Sequence, residues 1–209
     1  MSFKGDIEKI KQVFEYVKQE SISVEEMGVK NNEVNHGKKP TLVDTNIGYR
    51  GSTPLIWAAQ HGRHNVCHYL IKEQKANLEV RDDYQATALI YAVLFNKTEV
   101  IKVLLQYKAN CKVKSIVGSH AAYWSAYKGN LDALKMLVQS DGDVVDLKGF
   151  NGETPLIAAS RNGLIAVCKF LVEEKNATVN LKDNDGKIAL HHAKENTEII
   201  EILKSKGAK

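Results

Sequence analysis

The feature of this sequence that most constrains its fold is an internal repeat. The segment Thr53–Ala59 (TPLIWAA) returns at Thr87–Ala92 (TALIYA) and at Thr154–Ala159 (TPLIAA), and fainter copies begin at His120 and Ile188. Successive copies begin 34, 33, 34 and 34 residues apart. A period of this length predicts an array of similar supersecondary units, because one such unit cannot bury its apolar face without a neighbour.

Each unit is predicted to be a pair of short helices. Nine positions after the start of each copy stands a residue that is mostly of a type tolerating a left-handed turn: Gly62, Asn96, Gly129, Gly163 or Thr197. After this turn, apolar residues resume at helical spacing, as at Val66 and Leu70. Extended segments that end in turn residues, such as 183–186 (DNDG), connect one hairpin to the next.

These motifs resemble those of the ankyrin repeat family, whose repeat of about 33 residues contains a β-turn, a Thr-Pro-Leu-His-x-Ala-Ala motif, a glycine turn and an apolar second helix. The resemblance covers about residues 44–209, where near-complete copies at Thr53 and Thr154 stand in register with three weaker ones. It implies an all-α solenoid, an ankyrin repeat stack of about five helical hairpins with short β-turn fingertips, in which the last repeat is a C-terminal cap.

The third repeat departs most from the family pattern. His120–Tyr123 (HAAY) replaces Thr-Pro-Leu-His, so the threonine that opens the first helix is missing. A side-chain oxygen at this position normally accepts a hydrogen bond from the first turn of the helix. Its loss predicts that the middle repeat is less rigid than the others.

The residues before 44 divide into two segments. Residues 1–20 look like the second helix of a shortened repeat, and we expect an N-terminal capping helix there, because apolar residues share one helical face. Residues 21–43 are polar and fit no repeat position, so we expect an insertion loop. Residues 207–209 stop where the family pattern would begin another turn, so we expect a complete array.

Composition argues against several classes of protein. The chain is 44% hydrophobic and 26% charged, which is typical of globular domains, and no stretch resembles a membrane span or a secretory signal. An odd number of cysteines without close pairs predicts reduced thiols in the cytoplasm, with the nucleus as the alternative. The net charge of +4 is spread along the chain and basic residues are interleaved with acids, which disfavours nucleic acid as a partner.

Motifs of catalysis are missing from the sequence. It contains no glycine-rich phosphate loop, no Gly-x-Ser-x-Gly elbow and no paired cysteine cluster, so we expect neither catalytic residues nor a cofactor. The densest set of potential metal ligands is His61–His68 (HGRHNVCH). Because the glycine turn separates His61 from His64, and Cys67 falls on the apolar side of the second helix, we favour surface and turn histidines over a metal site.

Aromatic residues recur on one face of the predicted first helices, at four and then seven to eight positions after each motif start. The resemblance implies that this face lines the concave groove of the stack, beside the fingertips. The candidate residues on the helices are Trp57, His61, Tyr91, Phe95, Trp124, Tyr127, Lys128 and Arg161, and those at equivalent fingertip positions are Tyr49, Ile116 and Phe150.

Exposed apolar residues at such positions predict a binding surface for a protein or peptide, with Lys128 and Arg161 tuning recognition of an acidic neighbour. The alternative for Trp57, Tyr91 and Trp124 is packing between adjacent first helices. We therefore predict a monomeric, non-enzymatic scaffold for protein–protein interaction. The alternative function is an adaptor or regulatory subunit that delivers or inhibits a partner enzyme through the same surface.

Overall fold

A computed structural model describes residue 44 and residues 51–209, and the structural statements below concern these residues. The predicted capping helix (1–20), the predicted insertion loop (21–43) and Tyr49 lie outside the described residues. None of the described helices is both long and apolar enough to cross a bilayer.

Residues 51–209 form five consecutive helical hairpins and contain no β-strand, which confirms the predicted all-α solenoid. The first helices of the hairpins are α1 (Pro54–Gln60), α3 (Ala88–Leu94), α5 (Ala121–Lys128), α7 (Pro155–Arg161) and α9 (Ala189–His192). The second helices are α2 (His64–Lys72), α4 (Thr98–Gln106), α6 (Leu131–Ser140), α8 (Ile165–Lys169) and α10 (Thr197–Ser205). A π-helical turn (Phe170–Glu174) continues α8, and short 3₁₀ turns lie at Gly142–Val145 and Phe150–Gly152.

The repeated motif starts the first helices as local chemistry requires. Thr53 and Thr154 are extended, and each hydroxyl accepts a hydrogen bond from the backbone N–H three residues later, at 3.2 and 3.3 Å. The proline that follows each threonine fits the first helical position, where no N–H is needed. These two helices therefore begin where the sequence predicts.

His120 takes over the role of the missing threonine, and this corrects the reason for expecting a less rigid middle repeat. Its Nδ1 accepts a hydrogen bond from the backbone N–H of Tyr123 at 3.4 Å, and its Nε2 donates to the carbonyl oxygen of Leu147 at 2.9 Å. His120 is fully buried. The imidazole thus caps α5 and also ties the third repeat to the loop that leads into the fourth.

The turn inside each hairpin is left-handed, as predicted, but in the last repeat it lies at a different position. Gly62 and Asn96 have φ values of 71° and 54°, and the glycines of the third and fourth repeats behave alike. In the fifth repeat the left-handed residue is Lys194, with φ 51°, and Thr197 instead begins α10. The turn comes earlier than the ninth position because α9 has only four residues, and the sequence of this unit is correspondingly shorter between its helices.

Stacking of like helices on like helices forms one elongated core. First helices pack on neighbouring first helices, and second helices pack on second helices. Leu55, Leu89 and Leu156 are almost fully buried in this way, and fully buried alanines such as Ala92 let the first helices approach closely. Leu190 in the last repeat is only partly buried.

Candidate functional site

Four fingertips connect the hairpins, and we call them together the fingertip row: residues 82–86, 115–119, 149–153 and 183–187. Each tip is closed by a backbone hydrogen bond between its first and last residues, from Asp82 N–H to Ala86 O at 3.2 Å and from Gly149 N–H to Glu153 O at 2.7 Å in two of them. The other two tips are closed in the same way. Each tip is therefore a short hairpin-like loop with its own internal support.

Neighbouring fingertips are also bonded to one another. Ile116 N–H donates to Tyr84 O at 2.7 Å, and Phe150 N–H donates to the Ser119 hydroxyl at 3.1 Å. A bond from the backbone of residue 184 to that of residue 151, at 2.9 Å, joins the last two tips. The fingertip row is therefore held in place before any partner arrives, which reduces the ordering cost of binding.

The exposed large apolar side chains of residues 51–209 all lie on one side of the molecule. They stand on a first helix, at the residue that ends one, or on the fingertip row, and none stands on a second helix. We call them the exposed apolar face, and they are Trp57, Tyr84, Phe95, Ile116, Val117, Tyr127 and Phe150. Ile116 is 66% exposed and Phe95 53%. Exposure of several large apolar side chains on one side is typical of interaction surfaces.

Two members of this face, Tyr84 and Val117, are absent from the sequence prediction. Both stand three residues before the start of a motif copy, next to the position of Ile116 and Phe150. Other repeats have polar residues at this position, for example Asn151 and Asp185. Because the position is apolar in only two repeats, the repeat pattern alone did not single it out.

The sequence left open whether Trp57, Tyr91 and Trp124 are exposed or packed, and the structure shows one of them exposed and two half-buried. Trp57 is 46% exposed and stacks on the His61 ring, with centroids 4.4 Å apart. Tyr91 is half-buried, and its hydroxyl donates to the Asp82 carboxylate. Trp124 is half-buried in edge-to-face contact with the rings of residues 123 and 127. Trp57 is therefore the one of the three that is open to a ligand.

Buried carboxylates stand at the base of the fingertips, and each has a donor on a first helix. The Asp82 carboxylate accepts a hydrogen bond from the Tyr91 hydroxyl, and the Asp183 carboxylate accepts one from His192 Nε2 at 2.7 Å. Tyr91 and His192 occupy the same position in their repeats, four residues after the motif start. Burial raises the pKa of Asp82, and its bonds to Tyr91 and to backbone N–H groups oppose that rise. These acids support the fingertips and present no open charge.

The third buried carboxylate, Glu153, engages Arg161. Glu153 is 2% exposed, and it accepts from the Arg161 guanidinium and from the Tyr123 hydroxyl, the latter at 3.3 Å. Burial and the nearby Glu153 charge raise the pKa of Tyr123. Arg161, which sequence analysis assigns to recognition of an acidic partner, thus already neutralises an acid of its own repeat.

Lys128 is exposed and bridges two repeats. Its Nζ donates to the carbonyl oxygen of Leu94, at the end of α3, at 3.0 Å. An ammonium group has three donors, so this contact leaves two of them for another acceptor. Lys128 therefore remains available to a ligand at the groove side of α5.

The cluster of histidines and cysteine at 61–68 does not converge. His61 donates from Nδ1 to Trp57 O at 2.9 Å, whereas His68 Nε2 lies 3.1 Å from the Tyr107 hydroxyl in the next repeat. Cys67 is fully buried, and burial raises its pKa to about 12. Within residues 51–209 we find no group of three His, Cys, Asp or Glu side chains that could hold a metal ion.

Comparison with known proteins gives the same picture. A family model described as "Ankyrin repeats (3 copies)" matches residues 21–115 and 120–209. The chain is 32% identical over 106 residues to "Protein fem-1 homolog A-like" of Mus musculus, covering 51% of this chain and 16% of that protein. It is 28% identical over 169 residues to "Neurogenic locus notch homolog protein 1" of Xenopus laevis, covering 72% of this chain and 6% of the relative.

A viral protein extends the range of similar sequences. The chain is 23% identical over 135 residues to "Putative ankyrin repeat protein L371" of Acanthamoeba polyphaga mimivirus, covering 61% of this chain and 17% of that protein. In each of these three comparisons the chain spans less than a fifth of the relative's length. The similarity is therefore one of repeats rather than of whole proteins.

Proposed function

Because the chain belongs to the ankyrin repeat family, whose members are generally protein–protein interaction modules, we propose that it binds one protein or peptide partner on its exposed apolar face. In this proposal the concave groove and the fingertip row form one continuous site, and the protein acts as a non-enzymatic scaffold. Members of the family are typically non-enzymatic, which supports that assignment.

The observation that carries the proposal is the one-sided distribution of large apolar side chains. Phe95, Tyr127 and Phe150 are each at least 41% exposed, and they stand on three successive repeats. Leaving such rings in water is unfavourable, and burying them against a partner recovers that free energy. Aromatic residues are also enriched among those that dominate binding energy.

Two further features, the oligomeric state and the compartment, are part of the same proposal. We propose that the protein is a monomer and acts in the cytoplasm. Cys67, Cys111 and Cys168 are free and buried, which fits a reducing compartment in which thiols persist without pairing. Light scattering on the purified chain tests the monomer, and localisation of a tagged chain in the source cell tests the compartment.

The test of the binding site is a triple substitution, Phe95→Ala, Tyr127→Ala and Phe150→Ala, after a partner has been captured by crosslinking. Truncating a desolvated anchor typically costs about 2 kcal/mol or more, so the triple variant should lose detectable binding. Its circular dichroism should stay native, because the three side chains are exposed.

The matched control removes exposed side chains from the opposite side of the stack. It is the triple variant Gln106→Ala, Gln139→Ala, Glu201→Ala. The three residues replaced are exposed and lie on α4, α6 and α10. This control should bind as the wild type does. A partner that tolerates the aromatic triple but is lost in the control would place recognition on the second helices and contradict the proposal.

A further inference from the structure

Acidic side chains on the described helices are confined to the second helices, whereas basic side chains stand on both sides of the stack. None of the described first helices contains Asp or Glu, and their charged residues are Lys128 and Arg161. The second helices and the π-helical turn after α8 carry six acids, all exposed: Glu99, Asp132, Glu173, Glu174, Glu198 and Glu201. The groove side therefore has no exposed helical acid, whereas the opposite side has several.

A row of basic residues runs beside the fingertips. Arg81, Lys114, Lys148 and Lys182 occupy the same repeat position, six residues before successive motif starts. The three lysines are exposed, and Lys148 Nζ reaches the backbone oxygen of residue 182 at 2.7 Å, so its side chain runs along the row toward the next finger. We call these four residues the basic row.

The two central fingers combine this positive charge with apolar side chains. Residues 114–118 (KSIVG) and 148–152 (KGFNG) carry a lysine each and no acid. They present Ile116, Val117 and Phe150, each at least 48% exposed. The outer fingers differ, because each bears an exposed aspartate, Asp83 or Asp185. Each central finger thus places a lysine beside exposed apolar side chains, and Asp185 of the next finger reaches the second one through Asn151 Nδ2 at 3.3 Å.

On the premise of the proposed function, we infer that the partner presents an acidic linear segment with apolar side chains to these two fingers. The apolar side chains pack on Ile116, Val117 and Phe150, while carboxylates of the segment face Lys114 and Lys148 at the rim. Acids already present at the finger bases cannot compete for these lysines, since Asp82, Glu153 and Asp183 are buried and bound to first-helix donors. Such complementarity accelerates encounter and selects the partner more than it adds affinity.

A nucleic acid fits this surface less well than an acidic peptide does. A phosphate backbone needs a continuous track of positive charge, and here Asp83 and Asp185 limit the track to two fingers. Of the three exposed apolar side chains on these fingers, only Phe150 offers a ring for base stacking, whereas Ile116 and Val117 are aliphatic. The geometry therefore favours a peptide, and oligonucleotide binding is one outcome of the test.

The experiment selects random linear peptides on phage against the immobilised full chain and then measures one selected synthetic peptide by fluorescence anisotropy. We expect selected peptides to be enriched in Asp and Glu together with large apolar residues. The double variant Lys114→Glu, Lys148→Glu should bind that peptide with an affinity lower by about tenfold or more, and a higher salt concentration should lower the affinity of the wild type for it. The matched charge reversal, Lys108→Glu with Lys204→Glu, changes exposed lysines away from the fingertip row and should leave the affinity unchanged.

The outcomes separate this inference from the proposed function. Peptides that require Phe95, Tyr127 and Phe150 but show no acidic enrichment, or that ignore Lys114→Glu with Lys148→Glu, would overturn the inference and leave the proposed site standing. Peptides unaffected by the aromatic triple variant would contradict the proposed function itself. The last outcome concerns a labelled single-stranded oligouridine. If it competes with the peptide and binds the Lys114→Glu, Lys148→Glu variant more weakly than the wild type, the ligand of this surface is a nucleic acid and the inference is overturned.

Discussion

Removing the Arg161 guanidinium is the perturbation that tests most directly how the middle of the array is held together. Arg161 on α7 contacts the carboxylate of Glu153, which is 2% exposed and lies just before the same helix. The second donor to that carboxylate, the Tyr123 hydroxyl at 3.3 Å, comes from α5 in the preceding repeat. Arg161→Ala would leave a buried charge with one neutral side-chain donor.

The expected cost follows from the exposure of the two partners. Breaking a buried ion pair by deleting one member typically costs about 3 to 5 kcal/mol, because the remaining charge stays buried without compensation. The Arg161 side chain is 38% exposed, so water screens part of the interaction, and we expect about 3 kcal/mol at the lower end. Glu153→Gln keeps an acceptor for Tyr123 and leaves Arg161 partly hydrated, so it should cost only about 1 kcal/mol.

A double-mutant cycle measured by urea unfolding and followed by circular dichroism distinguishes this account from simple loss of packing. Arg161→Ala with Glu153→Gln should be more stable than Arg161→Ala alone, because the double variant no longer buries an unpaired charge. The control is Lys102→Ala, which breaks the exposed pair with Glu99 at 2.7 Å and should cost about 0.5 kcal/mol or less. The reasoning is refuted if Arg161→Ala costs no more than this control, or if the double variant is the least stable of all.

Three further predictions concern a histidine, a glycine and a cysteine of the stack. Burial lowers the pKa of His120 to about 4, so on acidification the unfolded chain takes up this proton at a higher pH than the folded chain does. The free energy of unfolding should therefore fall by about 3 kcal/mol as the pH drops from about 6.5 to about 4. Urea unfolding at a series of pH values should show a weaker pH dependence for His120→Thr than for the wild type, and an equal dependence would contradict the prediction. Gly149→Ala would place its Cβ 2.6 Å from Tyr123 Cδ2 and should cost about 1 to 3 kcal/mol in thermal or urea unfolding, whereas Gly142→Ala, with no atom within 4 Å, should be nearly neutral. Cys67 should resist a thiol reagent until the chain unfolds, and rapid labelling of the native protein would contradict its burial.

Sequence by itself determined the architecture, because the relevant physics is local and repeated. The hydroxyls of Thr53 and Thr154, the prolines after them and the left-handed residues at Gly62 and Asn96 each act within a few positions of the chain. The period of the motif then requires like units to stack. Sequence also pointed to most of the exposed apolar face, since its members recur at equivalent repeat positions.

Only the tertiary structure decided which of these side chains are open and which are occupied. Trp57 and Trp124 occupy the same repeat position, yet the first is exposed and the second is packed between Tyr123 and Tyr127. His120 replaces a threonine without loss of the cap, because its Nδ1 accepts from the Tyr123 N–H while its Nε2 donates to the carbonyl oxygen of Leu147, twenty-seven residues away.

The charges show the same limit of sequence reasoning. Lysines and acids alternate along the chain, but the described first helices contain no acid, so the acids of the helices all lie on the side of the second helices. The sequence predicts that Arg161 recognises an acidic partner, whereas in the fold its guanidinium pairs with the carboxylate of Glu153. Some of these partners lie in the same repeat, as Glu153 does, and others about one repeat away, as Leu147 does for His120, and folding and stacking rather than local propensity bring them into contact.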